Sequence, residues 1–198
     1  MEENNSSPLK MALTYGIYMA IISIIVTLVV WATSLIETLG LMGSSIIAFI
    51  NLIITVTLLV IFTKLYRDNL LEGKITFGKA FTFGLLIVIC SSLITGVFSY
   101  ILYKFIDPGY MERIMTVVQE KTYQMLANKG LSEDQIDAAM RAFEEKGVPT
   151  PMQSVQSALL GGLIGGSIMS LISSAIVKKN TQKEDAFEEA MEEVKNDE

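Results

Sequence analysis

The chain reads as an all-α integral membrane protein, a four-helix bundle with an extramembrane helical hairpin between its third and fourth helices. The first observation behind this is where the charges are missing. The sequence has 198 residues with 15 basic and 21 acidic side chains, yet residues 11–36, 38–63, 80–103 and 147–177 carry none of them. A helix of a water-soluble domain places charge on its exposed face every turn or so, so neutral runs of this length belong in lipid. A bilayer core about 30 Å thick needs about 20 helical residues, and each run supplies them. The second observation is that the spans expected within these runs, residues 12–32, 44–63, 81–103 and 155–177, contain no proline. Unbroken helices can then satisfy every backbone donor and acceptor inside hydrocarbon.

The first span follows a short segment, residues 1–10, with one lysine and two glutamates. Ala32-Thr33-Ser34 loosely fits a signal-peptidase pattern, but the apolar run is longer than a signal core and its leading segment is not basic, which favours a retained helix. The connection after span one has no lysine or arginine, whereas that after span two has Lys64, Arg67, Lys74 and Lys79. By the positive-inside rule the second connection is cytoplasmic, and so are both termini. Lys178 and Lys179, directly after span four, agree. Arg67, Lys74, Lys178 and Lys179 are therefore expected to meet lipid headgroups. Tyr15, Tyr18, Trp31, Tyr66, Tyr100, Tyr103 and Phe105 stand near span ends, as in an aromatic belt. Glu37, between spans one and two, is expected to reach interfacial water.

Residues 104–154 hold six basic and eight acidic residues, mostly far from the spans, and are assigned to the external face. Asp107-Pro108 fits an N-cap with proline at the first helical position. Met111, Ile114, Met115, Val118 and Met125 then repeat near the helical period until Gly130. Ser132-Glu133-Asp134-Gln135 has capping-box spacing, with Leu131 and Ile136 placed as a hydrophobic staple. Ile136, Ala139, Met140 and Phe143 form a second stripe that Gly147, Pro149 and Pro151 end. Two short amphipathic helices cannot each bury a face alone, so they pack on each other, on the bilayer or on a partner.

Span four has a small residue at every fourth position, namely Ser154, Ala158, Gly162, Gly166, Ser170 and Ser174, with Gly161 and Gly165 beside them. Helices associating in lipid gain from close backbone approach, so Ala158, Gly161, Gly162, Gly165, Gly166 and Ser170 form the expected packing face. That face serves the bundle itself or a second copy of the chain. Asn51, the only amide in the first three spans, is expected to bond across to Ser92 or Thr95. The tail, residues 178–198, places Thr181 and Glu184 at capping-box spacing. Phe187, Ala190, Met191 and Val194 then share one helical face among eight acidic residues. It is a solvated tail or a docking helix for a basic partner.

Several function classes are disfavoured. A net charge of −6 argues against nucleic-acid binding, and the chain has no histidine. Cys90 is the only cysteine, which leaves no intramolecular disulfide or CxxC spacing. There is no HExxH, Walker loop or calcium loop, and no ionised residue in the core of any span, where ion-coupled transporters usually place one. No cofactor or metal is implied.

Tyr66-Arg67-Asp68, then Gly73-Lys74-Ile75-Thr76-Phe77-Gly78-Lys79-Ala80-Phe81 with Gly84, leads into span three. Tyr100-Ile101-Leu102-Tyr103-Lys104-Phe105-Ile106-Asp107-Pro108 leads out of it. With the Ser-Glu-Asp-Gln-Ile helix and the glycine-rich last span, this order resembles the bacterial membrane family labelled domain of unknown function 4199, over about residues 9–177. The resemblance implies a small four-span inner-membrane protein, chiefly of Bacteroidota, with no assigned activity and no catalytic residues to carry over. The expected function is a non-enzymatic scaffold or accessory subunit, self-associating through span four and meeting a membrane or periplasmic protein through the external hairpin. The alternative is a small oligomeric channel or transporter component with Asn51 and span hydroxyls along a polar path.

Overall fold

The computed structural model describes residues 7–178, the side chains at 41, 42, 142, 143 and 146 excepted. Lys179 and the expected tail helix lie outside the described residues. Six helices follow in order: α1 (Pro8–Ala32), α2 (Leu35–Leu70), α3 (Phe77–Ile101), α4 (Tyr110–Asn128), α5 (Glu133–Lys146) and α6 (Pro151–Val177). Among the described residues four segments are long and apolar enough to cross a membrane, namely Pro8–Ala32, Gly43–Leu70, Phe77–Ile106 and Pro151–Val177, which is the pattern of a membrane protein.

Three of the spans, α1, α3 and α6, start four residues earlier than hydropathy alone suggests, because side-chain caps set their first turns. Ser7 Oγ accepts from the Lys10 N–H (3.3 Å) with Pro8 in the first turn of α1. Thr76 Oγ1 accepts from the Lys79 N–H (3.4 Å) at the start of α3. A full capping box opens α6: Gln153 N–H donates to Thr150 Oγ1 (3.2 Å), and Thr150 N–H donates to Gln153 Oε1 (2.9 Å). At its far end α3 runs into a π-turn, Leu102–Ile106, closed by the Asp107 N–H on the Leu102 carbonyl (2.8 Å).

In the bundle α1 packs on α3, α3 on α6, α6 on α2 and α2 on α1, with α3 and α6 the most closely joined pair. The start of α1, the turn between α2 and α3 and the end of α6 share one end of the bundle, here the proximal end. The other end, joined to α4 and α5, is distal. Packing is concentrated proximally. Ala12, Met19, Leu59, Phe62, Tyr66, Ile75, Ala80, Phe83, Ile87, Val88 and Val177 form one core cluster. By contrast, no residue of α1 after 20, of α2 between 44 and 58, or of α6 before 166 is buried.

Tyr15 and Tyr66, expected in an interfacial belt, serve this core instead. The Tyr15 ring stacks on Phe62 (4.6 Å between centroids) and the Tyr66 ring on Phe83 (4.0 Å). Rings that large hold more apolar contact inside the bundle than at its rim, and stacked pairs add to that burial.

The connection after span one is mostly helix rather than loop. α2 already begins at Leu35, broken only at Gly40, where φ is 60° and ψ is −139°. That combination is close to glycine-only backbone space. A Cβ at Gly40 would also stand 2.6 Å from Lys121 Cγ on α4. The lysine stem can swing aside; the backbone angle cannot. Gly40→Val is therefore expected to cost about 1–3 kcal/mol of stability, read as a lower thermal midpoint in micelles.

Two helices, α4 and α5, lie between α3 and α6. α4 starts at Tyr110, not after Asp107-Pro108, with Gly109 at its cap position. Gly130 has φ 72° and ends α4 in the left-handed conformation that β-carbons disfavour. At α5 the Gln135 side chain accepts from the Ser132 N–H (3.2 Å), and Ile136 is buried. α4 packs along the start of α2 as well as against α5.

Candidate functional site

Three regions hold the polar, small and aromatic residues from which a site could be built: the α3–α6 seam, the distal ring of charges and the proximal end.

On the seam, the two glycine pairs of α6 are not equivalent. A Cβ at Gly166 would overlap Val88 Cγ1, and one at Gly162 would stand 2.5 Å from Ser92 Oγ. Ser170 Oγ donates to the Phe81 carbonyl (2.9 Å), and Gly84 makes room for it, since a Cβ there would lie 2.5 Å from Ser170 Oγ. These residues let α6 approach α3. Gly161 and Gly165, one position earlier, would meet nothing within 4 Å, and Ala158 is exposed. The expected packing face thus divides: Gly162, Gly166 and Ser170 face α3, while Gly161 and Gly165 border open space beside exposed Leu160, Ile164 and Ile168. A 100° turn separates neighbouring helical positions, so only one of two adjacent stripes can serve a given contact.

Asn51 does not reach across to α3. Its Oδ1 accepts from Thr55 Oγ1 one turn along the same helix (3.4 Å). Thr95 Oγ1 donates to the Ser91 carbonyl (2.9 Å), and Ser92 faces Gly162. A hydroxyl that can satisfy itself on its own helix has little to gain from a distant amide.

At the distal end Asp107 is the centre of a ring that sequence reasoning did not assemble. Its Oδ2 accepts from Trp31 Nε1–H (3.0 Å) and from Arg113 Nη2 (2.6 Å), and its Oδ1 from Arg113 Nη1 (3.1 Å). Arg113 Nε donates to Glu37 Oε1 (3.3 Å). Asp107 is therefore a tether across the bundle as well as a backbone acceptor for Gly109 ahead of α4, and Glu37 meets an arginine rather than water alone. The fork geometry suits a bidentate pair. Hydrogen bonds from Arg113 and then Trp31 hold the Asp107 carboxyl below its ordinary range, and the bond to Asp107 raises Arg113 in turn. Burial, helped by Tyr103 and Glu37, pushes the Tyr110 phenol up to about 12, where it stays protonated at any physiological pH. The only signal in the sequence is that a tryptophan and two acids, Trp31, Glu37 and Asp107, stand close to span ends.

At the proximal end Arg67 is committed to protein. Its Nε pairs with Asp68 (2.7 Å), and its Nη1 donates to the Val177 carbonyl (3.3 Å), one of the unsatisfied carbonyls that close α6. Its side chain is 19% exposed, which leaves little for a headgroup. Lys74 and Lys178 are exposed. Gly73, with φ 81°, makes the turn before α3, whereas Gly78 lies inside α3 and needs no special backbone angle.

Comparison with curated proteins and with solved structures finds no match. Residues 14–179 match the family model described as protein of unknown function (DUF4199), a match that takes in α2 to α6 whole and α1 from residue 14 onward. The chain belongs to this family of proteins of unknown function.

Proposed function

We propose that the protein is a non-enzymatic scaffold or accessory subunit of a bacterial inner membrane, with both termini cytoplasmic. Its contact surface is the distal half of the bundle together with α4 and α5, packed as an external hairpin. The observation that carries this reading is the uneven packing. Among the described residues, the distal stretches of α1, α2 and α6 bury no side chain, only the backbone of Gly40 and Gly43 of α2, while the proximal half is filled. Side chains from α1, α2 and the exit of α3 nevertheless fix α4 in place through Trp31, Glu37 and Asp107. A distal end held in place but left unfilled suits a second membrane polypeptide, because helices gain from one another in lipid by close packing and interhelical bonds.

The outward stripe of α6 is the proposed association face. Gly161→Leu with Gly165→Leu is expected to leave the monomer folded and to lower the yield of crosslinked complex in native membranes several-fold. Purification from those membranes in mild detergent, followed by identification of what copurifies, tests the role. A stoichiometric membrane partner supports the accessory reading. A lone oligomer that conducts ions in vesicles overturns it in favour of a channel.

A further inference from the structure

At the proximal end, the start of α1, the end of α2 and the start of α3 enclose a groove of about 270 Å³. Pro8, Tyr66, Gly78, Lys79, Phe83 and Leu86 are among the residues that line it. Its floor is rigid: Tyr66 and Phe83 are buried and stacked with their planes 13° apart. Its rim carries charge. Lys79 is exposed and has no ion pair among the described residues. Next to it, the first turn of α3 has two backbone donors to spare. The Lys79 N–H is taken by Thr76 Oγ1 and the Ala80 N–H by the Thr76 carbonyl, while those of Phe77 and Gly78 have no acceptor among the described residues. Gly78 adds no side chain over them, and a Cβ there would meet nothing within 4 Å.

We propose that this groove seats one anionic phospholipid. The phosphate lies against Lys79 and the free amides of α3, and the glycerol and upper acyl chain lie along Phe83 and Leu86 above Tyr66. Three points select this occupant. The walls run from the first into the third turn of α3, beside the first residue of α1 and the end of α2, so the groove reaches from headgroup depth into hydrocarbon. An apolar floor beneath a cationic, donor-rich rim matches the order of groups along a phospholipid. Lys79, exposed on the rim, puts a positive charge at headgroup depth that favours net negative lipid over zwitterionic lipid. The site is separate from the distal contact surface proposed above.

Native mass spectrometry of the full chain in detergent, titrated with phosphatidylglycerol or phosphatidylcholine of the same acyl length, reads the first binding step. Phosphatidylglycerol is expected to bind about tenfold tighter. Lys79→Gln abolishes that preference. Gly78→Leu, which fills the groove without changing charge at a position of ordinary helical backbone, blocks the first step for both lipids. Lys64→Gln, outside the lining, leaves the preference in place. Circular dichroism confirms that each variant is helical. Equal affinity of the wild type for the two lipids, or an undiminished preference in Lys79→Gln, overturns the proposal. So does a photoreactive side chain in place of Thr82 that, in bilayers, captures residues before Ser7 or after Lys178 of the same chain instead of lipid.

Discussion

Gly166→Leu is expected to unfold the membrane domain at a markedly lower temperature than any other single change on α6, at a cost of about 3 kcal/mol. The reason lies in what faces the glycine. A Cβ there overlaps Val88 Cγ1 and stands 3.1 Å from Val88 Cβ, and both of these atoms are buried in the core. Valine in a helix has one strongly preferred rotamer, so it cannot turn away. The backbones must separate instead, and with them the Ser170 bond to the Phe81 carbonyl one turn further along. Gly162→Leu should be milder. Ser92 presents a single hydroxyl at 2.5 Å that can rotate to another staggered position. Gly165→Leu should barely shift the midpoint, because its Cβ enters open space. Cys90 supplies the measurement. It is the only cysteine, and its thiol donates to the Leu13 carbonyl across the α1–α3 contact (3.8 Å), so a thiol-reactive dye follows bundle opening during a thermal scan. The expected order of midpoints is Gly165→Leu, then Gly162→Leu, then Gly166→Leu. Equal midpoints for Gly165→Leu and Gly166→Leu would remove the distinction between the two stripes.

That distinction marks the boundary of what the sequence could reveal. Four membrane spans follow from neutral runs alone, since no arrangement in water tolerates them. The close approach of α6 follows from its small residues. Which of two adjacent glycine pairs makes the approach does not follow, because 161/165 and 162/166 have identical spacing. The choice is made by Val88, Ser92 and Gly84 on another helix. The aromatic residues are a similar case: a tyrosine near a span end can anchor to headgroups or stack inward. Tyr15 and Tyr66 turn inward because Phe62 and Phe83 stand opposite them. Asn51 shows local chemistry prevailing over distant chemistry, as Thr55 is already one turn away. Thr150-Pro151-Met152-Gln153, a capping box with proline at the first position, starts α6 four residues ahead of the apolar run at 155, because caps and hydropathy obey different physics. The distal ring was the least legible part. It joins residues 76 apart in sequence, Trp31 to Asp107 and Glu37 to Arg113, and no local pattern encodes such a meeting.

Asp107→Ala is expected to release α4 from the bundle while leaving the proximal core intact. The carboxylate accepts from Trp31 on α1 and from both terminal nitrogens of Arg113 on α4, and it sits where the π-turn hands the chain from α3 to α4. Without it the indole N–H loses its acceptor and Arg113 keeps only Glu37. Since Trp31 is the only tryptophan, its emission reports this directly. The expected result is a red shift, stronger quenching by a water-soluble quencher and faster proteolysis within α4, with the Cys90 midpoint nearly unchanged. The same ring fixes the sign of a pH effect. Asp107 is held below its ordinary range in the folded state. Its stabilisation is therefore complete above the unfolded carboxyl value of about 4, declines as acid is added below that value, and is lost once the pH falls through the depressed folded value. Wild-type emission should accordingly stay constant from neutral pH down to about 4 and shift only below it. Asp107→Asn offers Trp31 an acceptor oxygen but turns an amide donor towards Arg113, and it has no carboxyl at position 107 to protonate. Its emission should begin red-shifted and remain level across the same acid range. A titration identical to the wild type's would place the acid transition on another group and would make Asp107 a bystander to it.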